Sequence, residues 1–180
     1  AIGAVQAVIE FDLEGRILKA NDNFGQVMGY ALDEVRGQHH RMFVEKEYAG
    51  SPEYKAFWDK LKRGEHDAGR YKRIAKGGRV VWIQSSYNPI LDADGKPFKV
   101  VKYATDITER VLEEQESQAA VDDVVRVVSA LARGELSESI TRDYSARFEK
   151  MKEACNTTVD ALRSTISEVR SAVQTLSSAS

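Results

Sequence analysis

The chain changes its grammar near residue 108, and that break constrains the fold more than any single motif. All three prolines, both tryptophans and all three histidines lie before it, and of twelve glycines only Gly134 lies after it. Beyond the break, Phe148, Cys155, Leu162, Val169 and Leu176 recur at seven-residue spacing, with Val159, Ile166 and Val173 as an offset second series. Two interlocked series of this kind are the pattern of a coiled coil. A shorter seam, Val121, Val124, Val128 and Leu131, precedes them. Gly134-Glu135-Leu136 and a connector, Ser137 to Arg147 with Ile140 and Tyr144, join the two. One such helix leaves its stripe bare. Two helices, with a connector long enough to run back along them, make a parallel pair that buries both seams by meeting a second copy. Lys152 falls on the seam of Val159 and Ile166, where a charge weakens the coil or snorkels from its end.

Composition narrows the function classes. Of 180 residues, 42% are hydrophobic and 30% charged, with a net charge of -2 and neither sign gathered in a block. That fills a modest core and argues against nucleic acid as a partner. The single Cys155 has no mate, which excludes a disulfide scaffold or a multi-cysteine zinc site and fits a reducing, cytoplasmic setting. The longest apolar run, Val80 to Ile83, is too short for a membrane span or a signal peptide within these bounds. Because the chain starts at Ala1 and stops inside a periodic segment, it is expected to be a piece of a longer protein.

The first part alternates strands and short helices. Val5, Ala7, Ile9 and Phe11 give one strand an apolar face, Asp12 to Gly15 a turn, and Arg16 to Ala20 the returning strand. Asn21 stands where a helix cap is needed, ahead of Phe24, Val27 and Met28, and Gly29 closes that helix. Asp33 to Gly37 reads as one helical turn. Ser51-Pro52-Glu53 opens a stronger helix with Tyr54, Phe57, Trp58 and Leu61 on one stripe, ending at Gly64. Then the period becomes two: Gly69 to Ala75, Arg79 to Leu91 and Pro97 to Thr105 read as strands joined by Lys76-Gly77-Gly78 and Asp92 to Gly95. The expected fold is α+β, a five-stranded antiparallel sheet with short helices on one face and a small cavity between.

These residues resemble the PAS sensory domain over nearly all of residues 5 to 110. The match rests on Ile17 to Phe24, Met28-Gly29-Tyr30 followed by Asp33-Glu34, Gly77 to Ile83, and the closing Asp106-Ile107-Thr108-Glu109-Arg110. The second part resembles a HAMP domain, in which two chains build a parallel four-helix coiled coil. Its marks are Gly134-Glu135-Leu136, the connector, and Asn156. It diverges in lacking the opening proline and in starting its second helix with Ser145-Ala146-Arg147-Phe148, as an internal HAMP would. With the Ser- and Ala-rich heptads from Val169 to Ser180, the whole resembles the upstream half of a methyl-accepting chemotaxis transducer. The implied domains are a PAS domain over 1–108, a helical linker over 109–120 and a HAMP-like coiled coil over 121–180.

No nucleophile, base and orienting group are arranged in a recognisable pattern and no phosphate loop occurs, so the chain reads as a non-enzyme. His39 and His40 are the suggestive pair for a metal. One imidazole entering the cavity would ligate the iron of a haem b, the leading cofactor candidate, while the alternative has them capping a short helix near Arg41-Met42-Phe43. Trp58 and Asn88 support a flavin, the second candidate, by stacking and by hydrogen bonding. The alternative makes them core filler and strand end, and an empty cavity is a third possibility. No Cys lies in the first part to form a flavin adduct. His66 reads as solvated and Cys155 as a seam residue. Asp106, Thr108 and Glu109 are the expected signal-transfer residues, capping the emerging helix so that a shift of the sheet becomes a shift of that helix.

The sequence therefore predicts a cytoplasmic homodimer in which a PAS domain senses a small ligand, gas or redox state. The Asp-Ile-Thr hinge would pass the change to a HAMP bundle, and from there to a chemotaxis kinase and adaptor through a domain beyond this chain. No nucleic acid and no membrane segment enter this reading. Two rivals are a ligand-free PAS dimerisation block, since Val101 and Tyr103 leave apolar groups on the outer sheet face, and the input half of a sensor histidine kinase or cyclase.

Overall fold

The computed structural model describes residues 6–178. Val5 of the first expected strand, and the last two residues of the final heptads, lie outside the described residues. The chain divides into two compact units, one up to Val111 and one from Leu112.

The first unit contains β1 (Ala7–Phe11), β2 (Ile17–Ala20), α1 (Asp22–Met28), α2 (Leu32–Val35), a 3-10 turn (His40–Phe43), α3 (Lys46–Ala49), α4 (Pro52–Lys62), β3 (Asp67–Ile74), β4 (Val80–Leu91) and β5 (Pro97–Asp106). The strands form one sheet in the order β2-β1-β5-β4-β3, with every neighbouring pair antiparallel. Two turns of the same kind shape it. Asp12 Oδ1 accepts from the amides of Glu14 and Arg16, and Asp92 Oδ1 from those of Asp94 and Lys96, while Gly15 and Gly95 take the left-handed conformation. An Asp side chain that bonds its own turn replaces ladder hydrogen bonds lost where the chain reverses.

Helix ends follow from local chemistry. Asn21 Oδ1 accepts from the amide of Phe24 at 3.0 Å and from that of Val8 at 2.9 Å, so one side chain caps α1 and ties it to β1. Ser51 Oγ accepts from Tyr54 N at 3.2 Å with Pro52 opening α4. The stripe of α4 then turns Tyr54, Trp58 and Leu61 onto the inner sheet face, where they join Ile9, Phe11, Ile83, Tyr87 and Val100 in the core. This is the expected sheet with helices on one face.

The second unit comprises the residues of α5 (Thr108–Ala132) from Leu112 on, a connector, and α6 (Ala146–Ser178). Gly134, at φ 79, ends the first helix. The connector returns along it: Arg163 donates to the carbonyl of Leu136, whereas Ser145, just before α6, donates to Glu116 near the start of the unit. The helices therefore run parallel. Val127, Ile140 and Val159 form the small core, with Val124, Leu131, Tyr144 and Cys155 against it.

Within one chain, that core covers part of the expected first seam. Val124 and Leu131 pack against it, the fully buried positions of this stretch are Ala120, Val127 and Ala130, and Val121 and Val128 are each 53% exposed. The connector takes up one side of α5 through Ile140, and Val121 and Val128 are left bare within one chain. Lys152 stays partly sheltered by bonding Glu149 at 3.0 Å and Asp143 at 3.7 Å.

Candidate functional site

The inner sheet face carries polar residues at the positions nearest the helices. Alternation along β4 turns Val81, Ile83, Ser85 and Tyr87 inward, and along β5 Val100, Lys102 and Ala104. Lys102 stands opposite both Ile9 and Tyr87 in the ladder, in the middle of the sheet. Arg73 reaches in from β3. All of Arg73, Ser85, Tyr87, Lys102 and His40 are buried.

Tyr87 is the hub. Arg73 Nη2 donates to its hydroxyl at 2.9 Å, and Lys102 Nζ lies 4.9 Å from the ring centroid. The Tyr87 hydroxyl is 3.0 Å from His40 Nε2, and His40 Nδ1 is 2.9 Å from the Tyr54 hydroxyl. An arginine only donates, so the Tyr87 hydroxyl accepts from Arg73, and a neutral His40 donates through one ring nitrogen and accepts through the other, bridging Tyr54 and Tyr87 in either tautomer. Around His40 the rings of Phe11, Tyr54, Phe57, Trp58 and Tyr87 stand at centroid distances of 5.4, 5.8, 6.1, 5.5 and 5.7 Å.

Burial governs the charges. It drives the His40 pKa well below its ordinary value, with Arg73 and Lys102 pushing the same way, so the ring is neutral. Burial also brings Lys102 down to about 8. Burial alone would raise Tyr87, but the neighbouring Arg73 and Lys102 outweigh it and hold the phenol below its usual range. Tyr54, lacking such neighbours at close range, is pushed up to about 12 by burial.

The two histidines are thus separated, one inward and one outward. His39 caps the 3-10 turn by accepting from Arg41 N at 3.0 Å and lines an open groove of about 690 Å³ with Arg16, Arg41, Lys55 and Trp58. It is packed on the turn at Gly15, where an added Cβ would lie 3.0 Å from the imidazole and 2.8 Å from Trp58 Cζ2. Both nitrogens of His40 are taken, so a haem iron would have to break a bond to Tyr54 or Tyr87 and part the surrounding rings. The residues as placed do not fit a haem ligand set. Among the described residues, no group of three or more His, Cys, Asp or Glu side chains gathers to hold a metal.

The flavin pair does not converge either. Trp58 is buried on the helix side, whereas Asn88 alternates with Tyr87 onto the opposite sheet face, where its Nδ2 donates to Ser86 Oγ and to the Val101 carbonyl. Alternation read along Tyr87 and Asn88 was the available sign. The same rule turns Lys102 inward, since it falls between two inward-facing apolar residues, Val100 and Ala104.

Of the residues expected to transfer a signal, Asp106 and Thr108 meet. Thr108 Oγ1 accepts from Trp82 N at 2.9 Å and donates to Asp106 Oδ1 at 2.6 Å, and Thr108 N donates to the same oxygen at 2.8 Å. Ile107 N donates to the Trp82 carbonyl at 2.8 Å. The first turn of α5 is therefore fastened to β4, the strand that bears Ser85 and Tyr87. Glu109 is exposed in that turn, where a negative charge suits the helix dipole.

A PAS fold model matches residues 17–104, and a HAMP domain model matches residues 119–164. Over 131 residues, 73% of the chain, it is 43% identical to the biofilm dispersion protein BdlA of Pseudomonas aeruginosa. Over 119 residues, 66% of the chain, it is 32% identical to the aerotaxis receptor of Escherichia coli. These matches span 31% and 22% of those proteins, so the chain covers less than a third of either. Among solved structures, an RNA-binding light-oxygen-voltage receptor superposes with a TM-score of 0.57 at 24% identity, over 66% of this chain and 34% of that one. That likeness speaks for the fold alone.

Proposed function

We propose, for a chain that joins a PAS fold to a HAMP domain, that it is the sensory input and first relay of a chemotaxis-type transducer. The PAS core responds to a small ligand, gas or redox state, and the response leaves through Asp106, Ile107 and Thr108 into α5. The observation that carries this reading is the fastening of Thr108 to Trp82. A change at Ser85 or Tyr87 moves β4, and β4 holds the first turn of the helix that continues to Ala132. The HAMP unit then shifts between packings of similar energy.

The unit works as a homodimer in this reading. Leu162, Ile166, Val169, Val173 and Leu176 of α6 are from 42% to 72% exposed, and their heptad spacing fits a second copy. The downstream kinase and adaptor act through parts outside this chain, in the cytoplasm. No helix among the described residues is long and apolar enough to cross a membrane. Haem and flavin each demand rearrangement, the first of His40 and its bonds, the second of the sheet face bearing Asn88.

A rival reading makes the PAS part a ligand-free dimerisation block, favoured by Tyr103 on the outer face of β5 at 42% exposure. The experiment is Thr108→Val in the full-length transducer, with the stimulus-dependent output measured alongside the fold of the domain. Loss of the response with folding intact supports the relay. An undiminished response defeats it.

A further inference from the structure

The buried polar groups of the PAS core carry an imbalance. Its buried charged side chains among the described residues are Arg73 and Lys102, 4% and 2% exposed, and no Asp or Glu is buried with them. Buried cations are ordinarily paired with acids. Here Arg73 rests on neutral groups, a Tyr87 hydroxyl and the Lys72 carbonyl at 2.7 Å, and Lys102 lies against the Tyr87 ring.

The unmet hydrogen bonding has the same sign. The buried side-chain atoms without a partner among the described residues are Trp58 Nε1, Arg73 Nε and Ser85 Oγ. Two of the three can only donate, and the third can donate. Buried donors with unmet bonds beside two buried cations suit one kind of ligand, an oxyanion. A carboxylate matches best, since its two oxygens fit the fork of a guanidinium and its organic body suits walls such as Phe57 and Tyr71. Tyr54 and Trp58 also line the outer groove, whose rim carries Arg16, Arg41, Lys55 and Lys62 against Glu14 and Asp59. A cationic rim raises the local concentration of anions at that wall.

We propose that the PAS core is a binding site for a small oxyanion, a short organic carboxylate above all, held by Arg73 and Lys102 beside Tyr87 and Ser85. The inference rests on the reading of this domain as a ligand-sensing input and names the chemistry of what it senses. On binding, the anion takes over the Arg73 bond that Tyr87 now accepts. Tyr87 sits on β4, the strand fastened to Thr108.

The test is thermal unfolding of the whole chain with sodium acetate, pyruvate, succinate, benzoate or inorganic phosphate, against sodium chloride at matched ionic strength and against acetamide. A saturable rise in Tm of about 5 °C or more with a carboxylate or with phosphate, absent with acetamide, is expected. Phosphate alone would identify an inorganic oxyanion, and a carboxylate alone an organic acid. Arg73→Met and Lys102→Met each abolish the rise; if one fails to fold, the other decides. No rise beyond that of chloride, or a rise that both variants keep, overturns the proposal. So does a tyrosinate absorption band at neutral pH, because an ionised Tyr87 would then balance the two cations. A neutral molecule recovered from the folded domain would sink this inference and leave the input-and-relay reading standing, whereas failure of Thr108→Val to alter output would do the reverse.

Discussion

At the scale of single residues, Lys102 makes the strongest statement, because its cost is tied to pH. Its folded pKa near 8 lies below the ordinary 10.5, so burial of the charged form costs about 3 kcal/mol at neutral pH. Between those values the unfolded chain holds a proton that the folded chain has released, and stability rises with pH. Tyr87, held below its usual 10, adds to the rise. Tyr54, at about 12, and Tyr71, raised further still by burial and by Asp67, reverse it above pH 10. The charged and titratable groups acting on Lys102 are Tyr87 from β4 and Arg73 from β3, with His40 from the 3-10 turn coupled to it. We therefore predict that Tm of the first unit climbs between about pH 8 and 10, and that Lys102→Met raises Tm at neutral pH and flattens the climb. Below pH 6.5 the unfolded state protonates His40 while the folded core keeps it neutral, so stability falls there. Gly15→Ala meets two obstacles, a φ of 82 and a Cβ at 2.8 Å from Trp58, and should cost roughly 1–3 kcal/mol in denaturant unfolding.

At the scale of elements, the predictions concern how pieces are fastened. Asn156 Oδ1 accepts from Ile140 N at 2.8 Å and its Nδ2 donates to Ile140 O at 3.0 Å, so one amide satisfies both backbone groups of a connector residue. Asn156→Leu leaves both without a partner and should cost about 1–3 kcal/mol, seen as faster hydrogen exchange at the Ile140 amide. Asp106→Ala removes the acceptor of Thr108 N and Oγ1 and should cost about 1 kcal/mol, with faster exchange at Trp82. The caps, turns and strands could be read from the sequence because each is local: Asn21, Ser51, Asp12 and Asp92 act within a few residues. The site was harder to read. That His40 points in and His39 out depends on the bridge between Arg16 and His39 and on Gly15, distant in spacing rule though near in space. Arg73, Tyr87 and Lys102 come from three strands, and nothing short of the sheet's order brings them together. Val121 and Val128 are bare within one chain, and heptad spacing does not say which neighbour, the chain's own connector or another copy, covers a stripe.

At the scale of the whole molecule, two compact units with different debts to association should not melt as one. The first unit has its own core, and its Tm should be independent of protein concentration. The second buries only a small cluster within one chain and leaves the α6 stripe bare, so its transition should move up with concentration and sedimentation should show a dimer. Ile166→Glu should convert that dimer to monomer without disturbing the first unit. The uneven sharing of tryptophan makes the distinction easy to observe. Trp58 and Trp82 both lie in the sheet-bearing unit, whereas the long helices supply much of the far-ultraviolet circular dichroism. Indole emission and ellipticity, followed in one heating run, should therefore act as separate clocks for the two halves.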